Sequence, residues 1–217
     1  MKEIEVGTKE IIFILKNIIV VIKDNCSYLD ELDRKIGDGE HGSALNRGFS
    51  KVEEQIDKFK NKSINEAFNE IGNILLQTIG GASGALYGST FLEIGSNFKE
   101  KKKIVLKDYI KIFQIAYNNI KTLGNVKAGD KTMLDTLEPV IKYLNSIKNI
   151  ELDKKEVLNN ITKKAKEGME STKPMIAKKG RASFLKERSI GHLDPGAVSC
   201  FIIVSEINKT LDTFHKK

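Results

Sequence analysis

Tryptophan is absent from this chain of 217 residues, cysteine occurs twice and arginine four times. Each scarcity excludes something. Cys26 and Cys200 stand far apart, so they form neither a disulfide framework nor a paired metal-ligand motif. A reducing, cytoplasmic compartment is the expectation. The net charge is +7, but of the 36 basic residues all but four are lysine, spread along the whole chain. Readers of nucleic acid concentrate charge on one face and use arginine for bidentate contacts. A solvated lysine coat and no nucleic-acid partner are therefore expected. Long apolar runs are missing as well. The first apolar stretch, Ile11 to Ile22, is broken by Lys16 and Asn17. It is too short to span a bilayer and lacks the cleavage site of a signal peptide, so no membrane role is expected.

What is present is helical periodicity. With 40% hydrophobic and 30% charged residues the chain is globular, and its length suits one domain over 1–217 with a core of its own. Leu45, Phe49, Val52, Ile56 and Phe59 recur at steps of three and four, as do Leu134, Leu137, Ile141 and Leu144. Eight such segments are expected, near 8–28, 42–59, 64–80, 83–99, 106–123, 132–148, 154–172 and 196–213. No stretch alternates as a half-buried strand does. Val198 to Val204 is rich in β-branched residues, yet its stripe continues to Ile207 and Leu211. Ser63 with Glu66, and Asp153 with Glu156, read as capping boxes. Lysine-rich linkers are expected at 98–103 and 146–152. The fold class is all-α.

Glycine breaks the even scatter. Twelve of the 17 fall in the windows 37–42, 80–88, 124–129 and 180–196. All four arginines, two of the three histidines and Pro195 lie in or beside them. A bundle does not need glycine there merely to fold; glycine at helix starts allows backbone to approach a ligand closely. In the first window Asp33, Asp38 and Glu40 can converge if the Gly37–Gly39 turn folds back, and clustered acids favour Mg²⁺ or Ca²⁺ over zinc. A polar turn with capping acids is an equal alternative. The free amides of Gly42, Ser43 and Ala44 at the next helix start suit a diphosphate, and His41 can bond a phosphate or ribose or cap the turn. The second window is not a P-loop, for it lacks the Lys-Ser/Thr pair, and it follows no strand. Gly84 and Gly88 fit a tight helix crossing equally well. Met133, in the third window's helix start, can face a purine or lie in the core. The gap from Lys173 to Pro195 is long enough to be functional, and Arg181 in it suits a phosphate. Asp194 before Pro195 caps the last helix.

Four strings, LDRKIGDGEHG, GGASGALYGSTF, GDKTMLDTLEPV and KGRASFLKERSIGHLDPGA, resemble in order and spacing the DhaL family, the ADP-binding subunits of phosphotransferase-system-dependent dihydroxyacetone kinase. The resemblance covers nearly the whole chain. It implies a barrel of eight antiparallel helices with ADP or ATP and two Mg²⁺ ions in the loops at one end. It implies Asp33, Asp38 and Glu40 as metal ligands. Glu40 stands where the family usually has Asp, and its extra methylene moves the carboxylate by roughly 1.5 Å. It implies His41, Gly42, Ala82, Ser83, Gly124, Met133, Arg181, Asp194, Pro195 and Gly196 at the nucleotide, with Ser43 and Ala44 added by the helix-end argument. The implied reaction is a phosphoryl relay. Bound ADP takes phosphate from a phosphohistidine protein of the phosphotransferase system (DhaM-like) and passes it to dihydroxyacetone on a DhaK subunit. The chain then needs no nucleophile; Arg181 and Mg²⁺ neutralise charge. A regulatory module that binds a transcription regulator, or a kinase subunit for another small ketose, is the alternative.

Overall fold

The computed structural model describes residues 5–147 and 153–214. Among them are nine α-helices: α1 (Thr8–Asp24), α2 (Cys26–Ile36), α3 (His41–Glu53), α4 (Ile64–Thr78), α5 (Gly81–Asn97), α6 (Leu106–Leu123), α7 (Met133–Ser146), α8 (Lys154–Ser171) and α9 (Pro195–Thr213). Two 3₁₀ turns, Ile56–Asn61 and Arg181–Ser189, fill the longest connections. Extended pairing among the described residues is a single bridge between Val6 and Ile104.

The expected segment 8–28 is two helices. The Asn25 side chain donates to the Val21 carbonyl at 2.8 Å, the chain bends, and Leu29 N–H bonds back to the Asn25 carbonyl to start α2. The apolar triplet Leu29, Leu32 and Ile36 gives α2 its buried edge. The segment 42–59 also divides, and its last turn, with buried Ile56 and Phe59, is 3₁₀. The remaining helices lie where the periodicity puts them, Val198 to Val204 included. Most of the linker expected at 146–152 lies outside the described residues.

Local signals explain the boundaries. Ser63 Oγ accepts from Glu66 N–H at 3.2 Å, and the Glu66 carboxylate accepts from Ser63 N–H at 2.8 Å, the capping box at the start of α4. Asp153 caps α8 differently from the expected box, through the Lys155 N–H at 3.0 Å. Asp194 accepts from Ala197 N–H at 2.7 Å and Pro195 occupies the first turn of α9, as expected.

Packing follows a cyclic order. α1 lies on α3, and α3, α4, α5, α6, α7, α8 and α9 each lie on the next, with α9 returning to α1. Leu45, Phe49, Ile71, Leu75, Leu134 and Leu158 are fully buried in the core that results. α2 lies outside this order, against α3, α9 and the Arg181–Ser189 turn. An apolar cavity of about 120 Å³ remains within the core, bounded by Leu15, Phe68, Ile94, Tyr109 and Leu211 among others. Its walls are almost wholly hydrocarbon, so it offers nothing for ionic or phosphate chemistry.

The α4–α5 pair shows what part of the second glycine window is for. A Cβ at Gly88 would stand 2.5 Å from Leu76 Cγ and 2.8 Å from the Gly72 carbonyl oxygen; one at Gly72 would stand 2.8 Å from the Gly88 carbonyl oxygen. Gly88 is therefore a crossing glycine. Alanine gains about 1 kcal/mol of helix propensity over glycine, but overpacking costs about 1–3 kcal/mol. Gly88→Ala should lower stability by about 1 kcal/mol or more in urea unfolding; an increase would show that α4 and α5 can separate freely.

Candidate functional site

The ends of six helices and one 3₁₀ turn surround a pocket of about 440 Å³. Four of them are helix starts. His41 and Ala44 come from the first turn of α3, Ala82 and Ser83 from α5, Met133 from α7, and Pro195 and Gly196 from α9. Helix N-termini carry unpaired N–H groups and positive dipole ends, so four together favour a multiply charged anion. The C-terminal end of α2 contributes Asp33 and the loop after it Asp38 and Glu40, while the end of α6 contributes Gly124. Arg181, from the 3₁₀ turn, completes the rim. Every residue expected at the site lines this pocket except Gly42 and Ser43.

Those two are turned elsewhere. A Cβ on Gly42 would stand 2.0 Å from the Cys26 carbonyl oxygen, so this glycine lets α3 touch the start of α2. Ser43 N–H donates to Asp30 Oδ1 at 2.9 Å and its hydroxyl donates to Asp30 Oδ2. Ala44 N–H is bonded to the Glu40 carbonyl at 2.8 Å. The amides of Ser43 and Ala44 are thus not free for a phosphate. Asp30, thirteen residues from Ser43, holds the helix start from the neighbouring α2.

The Gly37–Gly39 turn does fold back. Asp33 Oδ2 accepts from Gly39 N–H at 2.9 Å and Glu40 N–H at 3.0 Å, and Gly39 has φ +77°, which suits glycine. This brings the Asp33 and Asp38 carboxyls close enough to act on each other's acidity. Burial, the bond to Asp38 and its charge push Asp33 up, whereas the bond from Asp33 and then Arg181 hold Asp38 down. Of the two, Asp33 is thus the weaker acid and Asp38 the stronger. Arg181 Nη2 lies 3.0 Å from Asp38 Oδ2. Glu40 does not join the pair: among the described residues no three Asp, Glu, His or Cys side chains come together as a metal-ligand group. The expected three-acid cluster is a two-acid pair with Glu40 beside it.

His41 is fixed by a polar chain. Its Nε2 is 2.8 Å from Ser199 Oγ, Ser199 Oγ is 2.8 Å from Tyr87 OH and 3.1 Å from the Gly196 carbonyl, and Ser83 Oγ is 3.3 Å from Nδ1. One assignment satisfies all four contacts: Ser199 donates to Gly196, Tyr87 and His41 Nε2–H donate to Ser199, and Ser83 donates to Nδ1. Burial pushes the imidazole down to about 4. His41 is then neutral near pH 7, and it ties the starts of α3, α5 and α9 together.

The third window winds on itself. Asp135 accepts from Thr132 N–H at 2.8 Å and Gly129 N–H at 2.6 Å, which sets the start of α7 and aims Met133 at the pocket. The Met133 methyl is 3.6 Å from where a Cβ on Gly196 would lie. Gly80 and Gly81 have nothing within 4 Å of such a Cβ, so they are open to the pocket. Asp194 lies at the floor, enclosed by protein although part of it faces the cavity. Burial is the main reason its carboxyl is pushed up to about 7. Arg47, Thr132 and Lys131 also line the pocket. Lys131 carries no mark in the sequence: it reads as one more lysine of the coat.

Fold and pocket together define a helical protein with a pocket built from helix ends and acids. The DAK2 domain family matches residues 35–209, and the chain belongs to that family. It is 36% identical to the ADP-binding subunit DhaL of PEP-dependent dihydroxyacetone kinase from Escherichia coli (strain K12), over 85% of this chain and 88% of that protein. It is also 36% identical to the ADP-binding subunit DhaL of PEP-dependent dihydroxyacetone kinase 2 from Listeria innocua, over 91% and 92%. Among solved structures, the dihydroxyacetone kinase of C. freundii in complex with AMP-PNP and Mg²⁺ superimposes with a TM-score of 0.70 at 20% identity, over 96% of this chain. The chain spans about a third of that larger protein.

Proposed function

We propose that residues 1–217 form a single DhaL-type domain whose cyclic order of eight helices is a barrel, and that the pocket at its end keeps ADP as a coenzyme with two Mg²⁺ ions. The chain serves as the ADP-binding subunit of a phosphoenolpyruvate-dependent dihydroxyacetone kinase. Its partners are a DhaK subunit that carries dihydroxyacetone and a phosphohistidine donor protein of the phosphotransferase system. The observation that carries this reading is the meeting of four helix starts and the Asp33–Asp38 pair in one pocket.

The residues fit the metal. Two neighbouring carboxyls repel when both are ionised, a divalent cation between them relieves that repulsion, and Mg²⁺ is commonly held by one or two carboxylates with phosphates and water completing the shell. Asp33 and Asp38 would hold it, with Glu40 as a third ligand if its side chain swings in. When bound, the metal neutralises phosphate charge and aligns the transferred group. The chain does the rest by position. The start of α5 receives phosphate oxygens, and Gly80 and Gly81 allow close approach; at the start of α9, where Pro195 has no N–H and Ala197 N–H is bonded to Asp194, only the Gly196 N–H is offered. Arg181, 3.0 Å from Asp38 and largely exposed, would be free to turn to a phosphate if Asp38 held the metal. Met133 and Gly124 offer an apolar wall to the base. With no nucleophile asked of this chain, catalysis is charge neutralisation and alignment.

The test is reconstitution of the metal-loaded protein with purified DhaK, the phosphohistidine donor and phosphoenolpyruvate. Dihydroxyacetone phosphate should accumulate only when all components are present. Absence of product with partners proven competent alongside another DhaL subunit would overturn the kinase reading. Another small ketose is tested by substitution in the same assay. No feature of the pocket favours the regulatory module over the kinase.

A further inference from the structure

Among the described residues, Lys131 is the one lysine whose ammonium is enclosed by main chain from a distant segment. Its side chain is 1% exposed and its backbone has φ +63°, a left-handed conformation uncommon for a lysine. Four carbonyl oxygens surround Nζ, those of Thr172 at 2.9 Å, Met175 at 3.2 Å, Ser189 at 2.8 Å and His192 at 2.6 Å, so its three N–H groups serve four acceptors with one bond shared. Thr172 and Met175 leave α8; Ser189 and His192 return towards α9. The cage therefore closes the neck of the loop that carries Arg181. Other bonds at the neck are single links between loop and loop or loop and neighbour, such as Gly191 N–H to the Lys173 carbonyl and Asp194 N–H to Thr172 Oγ1. The ammonium joins both strands of the neck at once to the entry of α7.

We propose that Lys131 is a positioning residue, a built-in cation whose carbonyl cage fixes the loop so that Arg181 and Asp194 stand at the pocket. Four carbonyls aimed at one point repel each other and need a positive charge between them, as in carbonyl-lined cation sites. The lysine supplies that charge without an exchangeable ion. Two residues after Lys131 stands Met133, and two residues after His192 stands Asp194. One nitrogen thus sets the register of three pocket walls. The role of the loop in binding rests on the nucleotide reading above; the cage itself does not.

The experiment separates the two. Lys131→Ala leaves a space that propylammonium, three carbons and an ammonium, can refill. In nucleotide-free protein, deuterium uptake over 173–193 should rise in Lys131→Ala and fall again with propylammonium, while uptake in α4 and α5 stays unchanged. ADP affinity with Mg²⁺ should drop about 10–100-fold, the usual range for a residue that orients a binding group, and recover with the amine. Lys131→Met, which fills the stem space without charge, should show the same loosening and no rescue. Unchanged loop exchange, or loosening that propylammonium does not reverse, overturns the proposal. If both variants unfold the whole chain, Lys131 holds the fold and not the loop, and the proposal also falls. If the wild-type protein does not bind ADP with Mg²⁺, the nucleotide reading fails and loop exchange alone judges Lys131.

Discussion

Asp38→Ala should lower Mg²⁺-dependent ADP affinity by about two orders of magnitude or more, with little loss of fold. The scale follows from removing a charged group aimed at the bound species in a partly enclosed site. Asp38 is the stronger acid of its pair, and Arg181 lies against it. Without it, Asp33 loses a carboxyl neighbour that raises it, and Arg181 loses its anchor. In metal-free protein these changes oppose one another. Exposed ion pairs contribute about 0–1 kcal/mol, and the Arg181 side chain is largely exposed. The unfolding midpoint should therefore hardly move. In the wild-type protein, ADP should survive gel filtration with Mg²⁺ and leave with a chelator. Calorimetric titration of ADP with and without Mg²⁺ checks the variant. Equal nucleotide retention in Asp38→Ala and wild type would show that metal does not bridge the nucleotide to this acid.

The helices are legible in sequence wherever a stripe runs uninterrupted for three turns or more. The segment expected at 106–123 is α6, and 154–172 is α8 to within a residue. Legibility fails where a short helix hides beside a long one. Nothing like glycine or proline separates Asp24 from Cys26; the break comes from the Asn25 side chain turning back on Val21, which periodicity does not register. With α2 merged into its neighbour, Asp30 is hidden too. It looks like any surface acid, yet it takes the Ser43 amide that a helix-end argument offers to a phosphate. The site is legible as glycine, arginine and acid gathered into windows, because each window is a helix end and the ends meet in space. Lys131 is not, because its partners are carbonyls 41 to 61 residues away, and main-chain acceptors have no residue signature. Glu40 shows the reverse limit. A run of acids in sequence does not fix where each side chain points: Glu40 N–H is bonded to Asp33, but its carboxyl does not gather with those of Asp33 and Asp38.

Asp194→Asn should stabilise the metal-free protein, and the gain should depend on pH in a defined sense. Burial at the pocket floor, against the favourable Ala197 N–H bond and the Lys131 charge, leaves the carboxyl at about 7 instead of its ordinary 3.8. Below the unfolded value both states are protonated and the group contributes nothing. Between the two values the folded state holds a proton that the unfolded state has lost, so stability falls as pH rises. Above about 7 the full cost of burying the anion is present. A tenfold change in proton affinity corresponds to about 1.4 kcal/mol, so the effect reaches several kcal/mol. Asparagine keeps an acceptor for the Ala197 amide and so keeps the cap on α9. The stability difference between Asp194→Asn and the native protein should be small at about pH 4, grow through about pH 5 and 6, and level off above about pH 7, as measured by urea unfolding across that range. A difference that is flat with pH would mean that the folded state leaves Asp194 fully hydrated. Strongly shifted carboxyls gather at functional sites, and Asp194 combines such a shift with a place in the pocket lining.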